Sequence, residues 1–287
     1  RKLQRKFSER KRSSMGMRIT TNVPSLNAQR NMTANSREMN KSMAQLSTGS
    51  RITKAGDDAA GLAISENLKA QIRSYGQASR NANDGISMIQ TAEQGMGEVS
   101  NIVTRLRELG IQAASDSIGE VERGFIQKEV DSMKSEIQRV ADSTTFGSRK
   151  LLDGTGGIYD IHIGTGANEK TDWIAFDASV SNVQTDNLGI SDLDFSSKEG
   201  ARAGLAALDT AQSNVNGSRA TLGALQNRLT TTIDVLGTMN ENMSAANSRI
   251  RDTDVAATSS ELARNNVLLQ GNTATLSQAN QLPQMAL

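Results

Sequence analysis

The chain has 287 residues, no cysteine, one histidine, two prolines, only 3% aromatic residues and a net charge of +1. With no Cys and with His162 alone, the usual zinc and nucleophile arrangements are not available, and any core must be built from aliphatic and small side chains. No apolar run approaches the ~20 residues of a membrane span, and no signal-peptide apolar region stands near the start, so classical secretion and membrane insertion are both disfavoured.

Residues 1–14, RKLQRKFSERKRSS, carry seven Lys/Arg and one Glu, which leaves 25 basic and 30 acidic side chains in the remainder. A basic arm can bind nucleic acid or an anionic lipid surface. The change of composition at Met15 instead reads this leader as translated upstream sequence, not part of the native protein, so no nucleic-acid partner is expected. After it, Pro24 offers a helix start, and Met32, Met39, Met43 and Leu46 form a thin apolar stripe. Residues 47–61, STGSRITKAGDDAAG, break that period with three glycines and supply Asp57 or Asp58 as a cap for the next helix. Adjacent acids before a helix are more simply cap and dipole partner than a catalytic pair.

A long seam follows. Leu68, Ile72, Tyr75, Ser79, Ala82, Ile86, Ile89, Ala92, Met96, Val99, Val103, Leu106, Gly110 and Ala113 alternate in threes and fours, with one slip between Ile86 and Ala92. A shorter seam, Ile126, Val130, Met133, Ile137 and Val140, comes after a break at 115–124. Residues 144–194 change character: Tyr159, Ile161 and Ile163 alternate with Asp160 and His162, and a glycine-rich stretch leads to Trp173-Ile174-Ala175-Phe176, a hairpin signal. In such a strand His162 is far more often a solvated surface residue than a ligand, and the neighbouring glycines lack phosphate-loop spacing. An enzyme is not expected.

The chain then returns through the strongest pattern of all, Leu208, Val215, Leu222, Leu229, Leu236, Met243 and Ile250 at every seventh position. The interleaved positions, Gln212, Arg219, Gln226, Asn240 and Asn247 among them, are only partly apolar. A helix over 205–250 would be roughly 70 Å long, more than the ~50 Å of a compact globule of this size. A narrow stripe needs a partner helix of similar length, which the 68–113 seam supplies. At 251–254 the phase is lost, Asp254 offers a cap, and Val255, Leu262, Leu269 and Leu276 recur every seven residues until Pro283. The predicted fold is mainly α: an elongated antiparallel helical bundle or coiled coil at 58–251 that includes a β-hairpin region at 145–195, with the terminal helices at 15–57 and 252–287 paired with each other.

Several stretches resemble the bacterial flagellins: ITTNVPSLNAQRN at 19–31, QLSTGSRITKAGDDAAGLAIS at 45–65, RNANDGISMIQTAEQGM at 80–96, LRELGIQAAS at 106–115, TTFGSRKLLDG at 144–154, LGALQNRL at 222–229, SRIRDTDVA at 248–256 and LSQANQLPQMAL at 276–287. They stand in family order over nearly all of the chain after Met15. Only some ten residues separate the β region from the returning helix, where the family usually carries large variable outer domains, so the resemblance is to a short form lacking them. The family pattern usually runs a few residues past Leu287.

The resemblance implies a structural subunit that self-assembles into the flagellar filament for swimming motility, exported unfolded by the flagellar type III system and located outside the cell. It implies no cofactor and no metal. The partners it implies are further flagellin subunits, an export chaperone, and the filament cap and hook–filament junction proteins. It makes Leu26, Met32, Met39, Met43, Leu46, Val255, Leu262, Leu269 and Leu276 the packing residues of an inner tube. Arg105, Leu109 and Glu129 match positions used in subunit stacking and in recognition by the animal Toll-like flagellin receptor; Thr104 replaces a commoner Gln beside them, which points to weakened recognition. Competing readings are a hook–filament junction protein, which shares the terminal helices, and a cytoplasmic coiled-coil adaptor, which needs no matching terminal stripes.

Overall fold

The computed structural model describes residues 21–281. The basic leader and the stop at Pro283 lie outside the described residues. The elements are α1 (Val23–Thr48), α2 (Ala59–Ala113), α3 (Glu120–Ser143), β1 (Thr145–Phe146), β2 (Arg149–Lys150), β3 (Ile158–His162), the single turn α4 (Glu169–Asp172), β4 (Trp173–Asp177), α5 (Lys198–Arg251) and α6 (Val255–Gln281). They form two compact units, one from residues up to 66 and from 246 onward, the other Asn67–Ala245.

In the Asn67–Ala245 unit α2 and α5 run antiparallel. Gly110 lies against Leu205, Arg107 Nε donates to Asp209 at 2.7 Å, and Gln212 Nε2 donates to Ser100 Oγ at 2.8 Å. Leu208, Val215, Leu222, Leu229 and Leu236 are buried as their spacing requires, whereas Leu68, Ile72, Met243 and Ile250, toward the other ends of the two helices, are only half-buried. The helix starts seven residues before the expected Leu205, so Ala201 and Gly204 join the core.

The slip in the α2 seam is not there. Ala82, Gly85, Ile89, Ala92, Met96, Val99, Val103, Leu106, Gly110 and Ala113 alternate in unbroken threes and fours, and all are buried. Gly85 takes the place assigned to Ile86, which is half-buried at the edge of the core. A Cβ at Gly85 would sit 2.6 Å from Ile161 Cδ1, so the missing side chain is supplied by the β-hairpin.

The β3–β4 hairpin pairs Ile158 with Asp177 through His162 with Trp173 and turns Ile161, Ile174 and Phe176 into the core. The glycine-rich stretch expected as a plain turn contains α4, and a second two-stranded ribbon, β1–β2, precedes the hairpin. Irregular chain from 178 to 197 then packs Val183, Leu188, Ile190, Leu193 and Phe195 onto the helices. It is tied down by α3: Gln127 Oε1 accepts from Phe195 N at 2.6 Å, and Lys134 Nζ donates to Ser191 O at 2.8 Å. The Phe195 ring fills the notch left by Gly110 and Gly204, where an added Cβ would lie 3.2 and 2.7 Å from ring carbons. Gly204→Val should therefore lower the melting temperature of this unit by several degrees, up to about 10 °C, through overpacking, measurable by circular dichroism.

In the other unit, α1 and α6 lie antiparallel. Asn22 caps α1 by accepting from Ser25 N at 3.1 Å, Asp58 Oδ1 accepts from Gly61 N at 2.8 Å at the start of α2, and Asp254 caps α6 by accepting from Ala256 N and Ala257 N. Asp57, the other proposed cap, is used differently. It takes the Thr53 hydroxyl and the Thr53 and Lys54 amides, and these bonds, the hydroxyl foremost, lower its pKa.

Candidate assembly surfaces

The α1–α6 pair meets along two complete heptad seams. On α1 it uses Ser25, Ala28, Met32, Asn35, Met39, Ser42 and Leu46; on α6, Thr258, Leu262, Asn265, Leu269, Asn272, Leu276 and Ala279, every one buried or half-buried. Sequence periodicity found the large residues of this set and missed the interleaved small and polar ones. Leu26, Met43 and Val255, which the resemblance makes inner-tube packing residues, lie outside this α1–α6 seam and are exposed, at 51%, 57% and 61%. They fall outside the seam phase, so their apolar surface is left to solvent in the single chain. Val267 and Leu268 are exposed too, at 68% and 44%.

This pairing buries little. Only Ala28 and Ala279 among its apolar residues are fully covered, and two alanines bring a small fraction of the burial that full coverage of a Leu or Met brings. Asn272 Nδ2 is buried without a hydrogen-bond partner. The pair is held at its ends: Asn22 Nδ2 donates to Ala279 O at 2.8 Å and Ser25 Oγ to Asn280 Oδ1 at 2.9 Å, while Arg51 N donates to Arg251 O at 2.6 Å and Thr253 N to Gly49 O at 3.0 Å at the other extreme.

The second surface lies on the Asn67–Ala245 unit. Arg105 reaches from α2 to α3, donating to Glu129 Oε1 from Nε at 3.3 Å and Nη2 at 3.1 Å, and to Glu108 from Nη1 at 2.9 Å. Glu108 first, then Glu129, push its pKa up. All three side chains stay about half exposed. Leu109 does not: at 2% exposure it belongs to the core, so its side chain offers no surface to a partner. On α3, Val121 and Phe125 are exposed one turn apart, with Lys128 Nζ 5.7 Å from the Phe125 ring centre.

Among the described residues no group of three His, Cys, Asp or Glu could hold a metal, and no helix is long and apolar enough to cross a membrane. A broad groove of 690 Å³ between α2 and the end of α3 is lined by Glu93, Gln94, Glu98, Asn101, Thr144 and Arg219. It contains neither a nucleophile beside a base nor a phosphate-binding turn. His162 contributes its backbone oxygen, which accepts from Asn81 Nδ2 at 2.9 Å, and its ring lies 6.1 Å from that of Trp173.

Residues 19–156 match the family model of the bacterial flagellin N-terminal helical region and residues 205–287 that of the C-terminal helical region. A flagellin of Halalkalibacterium halodurans is 42% identical, the match covering 94% of this chain and 98% of that protein. A flagellin of Bacillus subtilis is 39% identical over 94% of this chain and 99% of its own length. Among solved structures, a flagellar hook-associated protein of Vibrio parahaemolyticus superposes with a TM-score of 0.57 at 15% identity, covering 68% of this chain and 100% of that one, a likeness of fold alone.

Proposed function

Because the chain belongs to the bacterial flagellin family, we propose that it leaves the cell unfolded through the flagellar type III channel and completes its fold by polymerising. Its function is structural. It is a subunit of the extracellular filament that drives swimming, and it carries no reaction of its own. A chain without cysteine suits export by threading, since no cross-link has to be broken first.

The observation that carries the assembly reading is the pairing of a sparsely buried α1–α6 seam with exposed Leu26, Met43, Val255, Val267 and Leu268. Two helices of 26 and 27 residues cost about 1–2 kcal/mol of backbone entropy per residue to order, and the contacts they make with each other are too few to offset it. Neighbouring subunits supply the rest, with the exposed residues as the points of contact. Before export those same residues are what a dedicated chaperone would cover, and the cap and hook–filament junction proteins would meet subunits of the same kind at the filament ends.

Hydrogen exchange tests this. Amides of residues 26–46 and 255–276 should exchange with little protection in the soluble subunit and be strongly protected in the filament. Strong protection at monomeric concentration would count against assembly-coupled ordering.

Recognition by the animal Toll-like flagellin receptor rests on Arg105 and Glu129, whose side chains are accessible, with Leu109 supporting them from beneath. Charge reversal at both, Arg105→Glu with Glu129→Arg, keeps the pair between these two positions, gives up the exposed Arg105–Glu108 bond, and inverts the surface. Receptor-reporter signalling should fall at least tenfold while the melting temperature holds; unchanged signalling would remove these residues from the interface.

A further inference from the structure

Apart from the Asn22–Ala279 and Ser25–Asn280 bonds at its far end, the α1–α6 seam does not fix its own register. On α1 the large residues Met32, Met39 and Leu46 are seven apart, as are Ala28, Asn35 and Ser42 between them; on α6 Leu262, Leu269 and Leu276 repeat by seven, as do Thr258, Asn265, Asn272 and Ala279. Sliding α6 along α1 by one heptad leaves large residues opposite the same class of partner and replaces one seam Asn by another. Buried Asn residues usually specify register. Asn265 and Asn272 stand at equivalent positions of consecutive heptads, so they cannot.

We propose that register is set outside the seam, by a clasp centred on Arg51. Its backbone N–H and C=O and two nitrogens of its guanidinium are engaged. Its N–H donates to Arg251 O, its carbonyl accepts from the buried Gln45 side chain at 2.7 Å, and its guanidinium donates to Ile250 O from Nε at 3.2 Å and Nη2 at 2.7 Å. Ile250 and Arg251 are the last residues of α5, whose final carbonyls have no partner within the helix. Arg51 thus caps the end of α5 with a cation where the helix dipole favours one. Around it Thr253 N donates to Gly49 O, Ser50 bridges Asp252, and Arg251 pairs with Glu66. The left-handed backbone of Gly49, φ 69°, brings the chain into this pairing.

The clasp opposes the slide geometrically. One heptad is roughly 10 Å of helix, and the three connector residues 252–254, at ~3.3–3.6 Å each when fully extended, span only about that much in all, so they cannot supply the slide without unwinding a helix end. Thr253 and Asp252 would have to leave Gly49 and Ser50. Arg51 is therefore a positioning residue for the terminal helices. That a wrong register would stop filament growth rests on the assembly reading above; the register itself does not.

The absence of native cysteine allows a direct test. Ser25 and Asn280 touch through a 2.9 Å hydrogen bond, so Ser25→Cys with Asn280→Cys reports the observed register. Ser25→Cys with Thr273→Cys reports the register one heptad away. Each pair is oxidised in concentrated protein seeded for polymerisation, intramolecular links are read by peptide mass, and growth is followed by light scattering in the same samples. With Arg51 present, the first pair should link and the second should not. Arg51→Ala should raise the Thr273 product about tenfold, the weight of one lost bond from a charged donor, and Arg51→Lys, which keeps the charge but not the paired donors, should fall between. If Arg51→Ala does not assemble, Arg51→Lys decides on the same criterion. A linkage pattern unchanged by both substitutions would overturn the proposal. The Ser25→Cys, Asn280→Cys protein with Arg51 intact that links as expected yet never polymerises would overturn the assembly reading instead.

Discussion

Leu229→Asp should abolish the main melting transition of the soluble subunit. Leu229 is 0% exposed on α5, in the contiguous core that also contains Leu222, Val215 and the α2 seam. An ionised carboxylate there has no partner, and the substitution removes a buried isobutyl group as well, together about 4 kcal/mol or more. Domains are stable by only ~5–15 kcal/mol, so the loss is a large share of the whole. Circular dichroism at neutral pH reads it directly: a cooperative transition within a few degrees of wild type would show that the α2–α5 seam is not what holds this unit together. His162→Ala is the contrasting case. Its imidazole makes no hydrogen bond, and the contact with Asn81 uses its backbone oxygen, so melting and swimming should both be nearly unchanged. Loss of swimming with export intact would assign the ring a role in filament contacts.

The parts of the fold legible in the sequence are those where large apolar residues recur at a fixed period. Leu208 to Leu236 was plain because every second seam position carries a big side chain. What escaped had other signals. Gly85 belongs to the α2 seam but has no side chain to count, and only the hairpin's Ile161 reveals that the position is filled. Arg123 reads as a surface charge in sequence, yet it is buried, donating to Ala113 O at 2.8 Å and Ser115 O at 2.9 Å to cap the end of α2; nothing in a single sequence separates such an arginine from a solvated one. The chain at 178–197 packs its apolar residues without regular backbone, so no period exists to be found. On α1 and α6, seven-residue spacing marks only the large residues of each stripe. The true seams alternate large with small or polar residues, and this alternation is what frees Leu26, Met43 and Val255 for other contacts.

The same distinction separates Leu269 from its neighbours and decides which substitution isolates assembly. Leu269 is half-buried on the α6 seam that faces α1, so Leu269→Lys disturbs pairing within the chain as well as growth. Val267 and Leu268 point elsewhere and are exposed. A lysine at either keeps its charge in water in the single subunit and costs little there, since α6 propensity is not reduced by exchanging Val or Leu for Lys. If, as proposed, these positions meet neighbouring subunits in the filament, the same ammonium must be desolvated, at a cost of about 2 kcal/mol or more per contact. Polymerisation repeats the penalty at every subunit added, so a few kcal/mol raises the critical concentration by more than tenfold. Leu268→Lys is therefore expected to melt as wild type does and to fail in seeded growth followed by light scattering. Leu269→Lys should fail in growth too. If Leu268→Lys seeds and elongates normally while Leu269→Lys does not, α6 contributes to the filament only through α1, and the exposed residues of this layer are not subunit contacts.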